Sequence, residues 1–157
     1  DGLMIAPIYE QNKTGRVVYF PEEMLCVRFT TEKTYQLELM KQGHHYVSMP
    51  IDQLVIFIRP NHLLILNDEA QNVSQLDNHQ IEIIAHVQTT CEGRYYEDNG
   101  LVKNPKLEDG LSQININIEN NEVGTQWQKS KNSQLNHVTY TVYDAKQNEI
   151  FIHTENL

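Results

Sequence analysis

Two adjacent carboxylates, Glu97 and Asp98, stand near the end of the stretch "CEGRYYEDNG" at residues 91–100. Paired carboxylates serve acid–base hydrolysis of sugars, where two carboxyl groups flank the scissile bond about 5 Å apart. They also serve as oxygen ligands for hard metal ions. On an extended strand, neighbouring side chains project to opposite faces, so Glu97 and Asp98 can share a substrate only if the backbone bends. Asn99-Gly100 supplies such a bend, and Asp tolerates turns because its oxygen accepts backbone N–H groups. A calcium loop would require oxygen-bearing side chains at alternate positions, then Gly and a later Glu. Leu101 and Val102 occupy positions where those oxygens would be needed. The stretch therefore reads as a tight turn rather than a catalytic or metal site.

His44-His45 is the second pair that could do chemistry. Adjacent strand residues face opposite ways, and no Cys or acidic partner sits at metal-ligand spacing, so the expectation is a surface turn after Gly43. His62, His79, His86, His137 and His153 are scattered, with no spacing that links them. No G-x-S-x-G elbow, Walker loop or dinucleotide-binding glycine pattern occurs. Trp127, with Tyr95, Tyr96, Tyr140 and Tyr143, could form a platform for sugar rings; core packing is the competing expectation for most of these rings. The residues themselves thus nominate no catalytic, cofactor-binding or metal-ligating group.

The elements that would position these groups are strands. In "QININIEN", Ile114, Ile116 and Ile118 alternate with Asn115 and Asn117, the pattern of a half-buried strand. "HVTYTVYD" sets Val138, Tyr140 and Val142 against Thr139, Thr141 and Tyr143, and "QIEIIAHVQ" sets Ile81, Ile83, Ala85 and Val87 on one face. "LMIAPIYE", "GRVVYFP", "MLCVRF", "YQLELM", "HYVSMP", "QLVIFIRP" and "LLIL" are β-rich and bounded by Gly, Pro or polar residues. No window of helical length carries a 3.6-residue stripe; "NDEAQNVSQLD" could add one turn. The fold class is all-β, with two small antiparallel β-sandwich domains at residues 1–75 and 76–157. The break is placed in the polar stretch 67–78. One sandwich with an embellished edge is the alternative.

Composition narrows the partners. The formal net charge is −9, which disfavours nucleic acid and anionic membranes. The longest apolar runs are far too short to span a bilayer. Cys26 and Cys91 form no C-x-x-C pair and read as reduced, partly buried thiols of a cytoplasmic protein, with a single disulfide as the alternative. Two N-x-[ST] sequons, at Asn12 and Asn72, matter only in a secreted eukaryotic protein.

The order of four segments resembles the C-terminal β-sandwich region of glycoside hydrolase family 31, the α-glucosidase and α-xylosidase family. Ile5-Ala6-Pro7-Ile8 and Arg16-Val17-Val18-Tyr19-Phe20-Pro21 resemble its V/I-A-P-V/I and R-x-V-Y-L/F-P strands. Phe57-Ile58-Arg59 is similar to its F-V-R strand, and Tyr96-Glu97-Asp98-Asn99-Gly100 to its Y-E-D-D-G turn. The similarity covers residues 2 to about 100. Met24-Leu25-Cys26-Val27 replaces a common Trp-Tyr pair, and Pro60-Asn61-His62 a small-residue stretch, which leaves sugar specificity open.

The resemblance implies a non-catalytic scaffold whose partner is the catalytic (β/α)8 barrel of the same parent chain. Homo-oligomer contacts are a further candidate role. The family's nucleophile lies in a W-x-D-M-x-E segment, and the only Trp here, Trp127, is followed by Gln128-Lys129. The parent would hydrolyse terminal α-linked glucose or xylose with retention, and this region would need no cofactor. The faces of "LMIAPI" and "LVIFI" are expected to be apolar where the barrel would cover them. A free-standing carbohydrate-binding module and an adhesion or oligomerisation module are the competing functions.

Overall fold

The computed structural model describes residues 2–30, 34–67, 70–97 and 106–157. The chain divides into two compact units, Asp1–Pro60 and Asn61–Leu157, each built around its own apolar core.

In the first unit, alternation decides which side chains go inward. Strand β2 (Gly15–Phe20) buries Val18 and Phe20 and exposes Val17 and Tyr19. It pairs antiparallel with β5 (Gly43–Ser48), forming a two-stranded ribbon. A second, antiparallel sheet has the order β1-β6-β3-β4, from β1 (Leu3–Ile5), β3 (Met24–Phe29), β4 (Tyr35–Met40) and β6 (Leu54–Ile58). Phe20 and Val47 of the ribbon meet Phe57, Val55, Met24 and Cys26 of this sheet in one core. The Phe20 and Phe57 rings pack edge to face, 4.9 Å between centroids. The chain passes from one sheet to the other at 21–23 and again at 41–42. Gly43, at φ 121°, makes the second corner in a conformation that a side chain would resist.

The second unit starts with β7 (His62–Asn67) and β8 (Gln80–Val87), paired residue for residue from His62↔His86 to Asn67↔Ile81. The expected breakpoint at 67–78 is therefore the connection inside this unit, and the boundary between units lies at Pro60-Asn61. Composition pointed to the polar loop, whereas ladder hydrogen bonds bind β7 to β8. One 3-10 turn, Val73–Gln75, lies within that loop.

Strands β9 (Thr90–Tyr96), β10 (Leu111–Glu119) and β11 (Glu122–Gln128) form an antiparallel sheet in the order β11-β10-β9. At the β10–β11 turn, Asn120 and Asn121 have φ of 52° and 66°, as a two-residue type I′ hairpin turn requires. The chain then returns through β12 (His137–Asp144) and β13 (Glu149–Asn156), giving a sheet of order β13-β12-β8-β7. Here β12 pairs with β8 in parallel, so this sheet is mixed rather than purely antiparallel. Parallel neighbours need a long crossover, and the β9–β11 sheet is that crossover. Ile81, Ile83 and Ala85 of β8 and Val138, Tyr140 and Val142 of β12 meet Cys91, Ile114 and Ile116 in the core. Ile84, His86, Thr141 and Tyr143, on the opposite faces of β8 and β12, are buried too, as is usual for parallel strands.

Candidate functional site

Glu97 follows β9 directly. Its N–H donates to Gly110 O at 2.9 Å, and its Oε1 accepts the Gln134 N–H at 3.3 Å. Its Oε2 is buried with no hydrogen-bond partner. Asp98, Asn99 and Gly100 lie outside the described residues, so the expected turn is not described at those positions. Among the described residues, no group of three or more His, Cys, Asp or Glu is placed to hold a metal ion.

His44 and His45 sit within β5, not in a turn after Gly43, because their backbone is paired with Tyr19 and Val18 of β2. As strand geometry demands, they part company. His44 faces outward against Tyr19, centroids 4.9 Å apart, while His45 turns to Phe20 at 5.7 Å. Register does link two of the scattered histidines. His62 stands opposite His86, which in turn stands opposite Tyr143, with His86 and Tyr143 rings 5.6 Å apart.

The aromatic group around Trp127 does not assemble into an exposed platform. Tyr140 and Tyr143 are buried, and Trp127 and Tyr95 pack against the second core. Tyr140 donates to Glu155 Oε2 at 3.2 Å, and burial followed by the Glu155 charge pushes its phenol well above the ordinary range. Burial also raises Tyr95, with Glu97 adding to it. The rings that do face solvent are Tyr9, Tyr19 and Tyr46, with Tyr96 partly so. They belong mainly to the first unit, and nothing in local sequence distinguishes Tyr46 from Tyr140. Both lie in alternating strands.

Cys26 and Cys91 are free thiols, each buried in a different core. Burial pushes Cys26 up to about 11, with Arg28 opposing and Glu38 reinforcing. Cys91 is pushed up to about 12 by burial and then Glu92. Neither has the thiolate character that nucleophilic chemistry needs. The Asn12 sequon lies in an exposed turn at φ 61°, and the Asn72 Oδ1 accepts the hydroxyl of Ser74 at 2.6 Å.

The first unit carries a broad apolar groove. Leu3 and Ile5 of β1 stand in register with Ile58 and Ile56 of β6; Leu3 and Ile5 are exposed, whereas Ile58 is fully buried. Ile5 is 66% and Leu54 54% exposed, and Ile51 is fully exposed. With Pro7, Ile8 and Pro50 they line a groove of about 840 Å³, rimmed by Glu10, Lys13 and Gln53. Ile5, Ile51 and Leu54 thus group as exposed apolar side chains on one surface of the unit. Of the two stretches expected to present apolar surface, Leu3, Ile5 and Leu54 are exposed, whereas Val55, Phe57 and Ile58 are buried. Arg59, which follows β6, reaches back to pair through its Nε with Glu22, the residue after Pro21. Sequence spacing gave no sign of that partner.

The family model described as "Glycosyl hydrolase family 31 C-terminal domain" matches residues 1–64. No curated protein sequence matches the chain. Among solved structures, the GH31 α-xylosidase from Xanthomonas citri is 16% identical with a TM-score of 0.63, over 99% of this chain and 18% of that one. The Flavobacterium johnsoniae GH31 dextranase complexed with isomaltotriose is 16% identical with a TM-score of 0.69, over 92% of this chain and 18% of that one. The cycloalternan-forming enzyme from Listeria monocytogenes, in complex with a pentasaccharide substrate, is 17% identical with a TM-score of 0.65, over 91% and 13%. The chain thus spans less than a fifth of the length of these enzymes. At such identities the likeness is one of fold. Residues 1–64 match the model of the glycosyl hydrolase family 31 C-terminal domain, and the fold of nearly the whole chain recurs within solved GH31 enzymes.

Proposed function

We propose that the chain is the non-catalytic C-terminal region of a cytoplasmic family 31 α-glycosidase, a scaffold that docks on the catalytic (β/α)8 barrel of the same parent chain. The observation that carries this reading is the uncovered apolar groove on the very unit that matches the family domain. Burying several aliphatic side chains there would contribute on the order of 1.5–3 kcal/mol each. The parent enzyme hydrolyses terminal α-linked glucose or xylose with retention; the chain itself is inert. A (β/α)8 barrel takes ~200 residues or more, and this chain is 157 residues, almost all strand and loop.

The gene sequence upstream of Asp1 tests the assignment. An in-frame barrel carrying W-x-D-M-x-E supports it, and an upstream stop codon or unrelated domain overturns it. For the chain alone, p-nitrophenol release from α-glucoside and α-xyloside should stay at background. Turnover that survives repurification and disappears in Glu97→Gln would show that the scaffold reading is wrong.

A further inference from the structure

We propose that the outward face of the β2–β5 ribbon is a stacking site for a neutral oligosaccharide. Six positions form it: Gly15, Val17 and Tyr19 from β2, and His44, Tyr46 and Ser48 from β5, paired across the ribbon as Gly15↔Ser48, Val17↔Tyr46 and Tyr19↔His44. None carries a carboxylate, an ammonium or a guanidinium, on a chain whose net charge is −9. A charged ligand finds no counter-ion here, whereas an uncharged polyol needs none.

The Tyr46 ring lies along the sheet rather than standing out from it. A Cβ built on Gly15 would meet the Tyr46 Oη at 2.6 Å and Cζ at 2.7 Å, so the far end of the ring rests directly over the glycine. With no side chain beneath it, Gly15 lets the ring lie down, and Tyr46 remains 66% exposed. The neighbouring Tyr19 is 54% exposed, its ring held beside His44. Two aromatic surfaces on a rigid ladder, with hydroxyls and an imidazole at their margins, match the alternating C–H faces and O–H edges of pyranose rings. Aromatic faces take such apolar faces while their polar tips stay wet.

Size argues against a protein occupant. Two six-residue strands at about 3.4 Å per residue and about 4.8 Å apart present roughly 200 Å², well short of the about 800 Å² per partner that a stable protein interface buries. A short oligosaccharide fits that area. The proposal does not depend on docking to a barrel, because the β1–β6 groove uses other residues.

Affinity electrophoresis of the full 157-residue chain through gels containing soluble dextran, starch or xylan tests it. At least one of these neutral glycans should retard the chain. Tyr46→Ala and Tyr19→Ala should each weaken retention by about tenfold, while Tyr46→Phe, which keeps the ring, should stay within about twofold, all at unchanged melting temperature. Absence of retardation by all three glycans overturns the proposal, as does retardation that both alanine variants leave intact. A dimer in solution that Tyr46→Ala dissociates also overturns it, because the face would then belong to a second copy.

Discussion

Gly110 and Glu97 meet backbone to backbone. The Glu97 N–H donates to Gly110 O at 2.9 Å, and a side-chain carbon built on Gly110 would overlap the Glu97 carbonyl oxygen. Gly110 is buried, immediately before β10, and the atom that a side chain there would meet is backbone. Gly110→Ala should destabilise the second unit by about 1–3 kcal/mol, the usual cost of forcing atoms into a filled site. Urea unfolding followed by Trp127 fluorescence measures this. A silent Gly110→Ala would mean that the end of β9 and the entry to β10 are not this close.

Asn61 holds the chain where it passes from β8 to β9. Its Oδ1 accepts the Gln88 and Thr89 N–H groups at 2.9 and 2.8 Å, and its own N–H donates to His86 O at 2.7 Å. It does so at φ 61°. Asn61→Ala loses the acceptor and strains the backbone, together about 1–2 kcal/mol. Asn61→Gly should recover the backbone part, and Asn61→Asp should keep the acceptor and stay near wild type. Amide hydrogen exchange at Gln88 and Thr89 should quicken in the Ala and Gly variants only.

Alkaline pH should weaken the fold through the two thiols. Both are raised in the folded state, to about 11 for Cys26 and about 12 for Cys91, from 9.0. Folding therefore holds protons that the unfolded chain gives up. Their contribution is full below pH 9 and is lost as pH rises through 11 to 12. Under reducing conditions, the drop in urea midpoint between pH 8 and 10.5 should shrink in Cys26→Ala with Cys91→Ala. At pH 8 the native thiols should resist a disulfide reagent that labels the unfolded chain at once.

Uncovered, the β1–β6 groove should make the chain sticky. Ile5→Glu and Leu54→Glu, at exposed positions, should reduce hydrophobic-dye binding and self-association while moving stability by less than about 0.5 kcal/mol. Equilibrium sedimentation and dye fluorescence read both effects. A wild-type chain that is monomeric and dye-silent would show that the groove needs no cover.

Local alternation by itself determined the strands and their inward faces. Ile114 and Ile116, Val138, Tyr140 and Val142, and Ile81, Ile83 and Ala85 all lie in the core as their period of two requires. Sheet geometry is a property of adjacent residues, so the sequence carries it openly. The four resembling segments likewise lay in contiguous residues, and the family domain matches where three of them stand.

What needed the tertiary structure were the relations between distant residues. The parallel pairing of β8 with β12 joins strands separated by a whole sheet, and Asn61 finds its partners 27 and 28 positions away. The unit boundary moved from the polar loop to Pro60-Asn61 for the same reason: β7 is claimed by its ladder with β8, not by its composition. Ring exposure was decided there too. Tyr140 and Tyr46 sit in equally regular strands, yet Tyr140 is sealed between two sheets while Tyr46 lies over a glycine on an open ribbon. A strand's pattern says which way a side chain points, and only the packed fold says whether another layer meets it there.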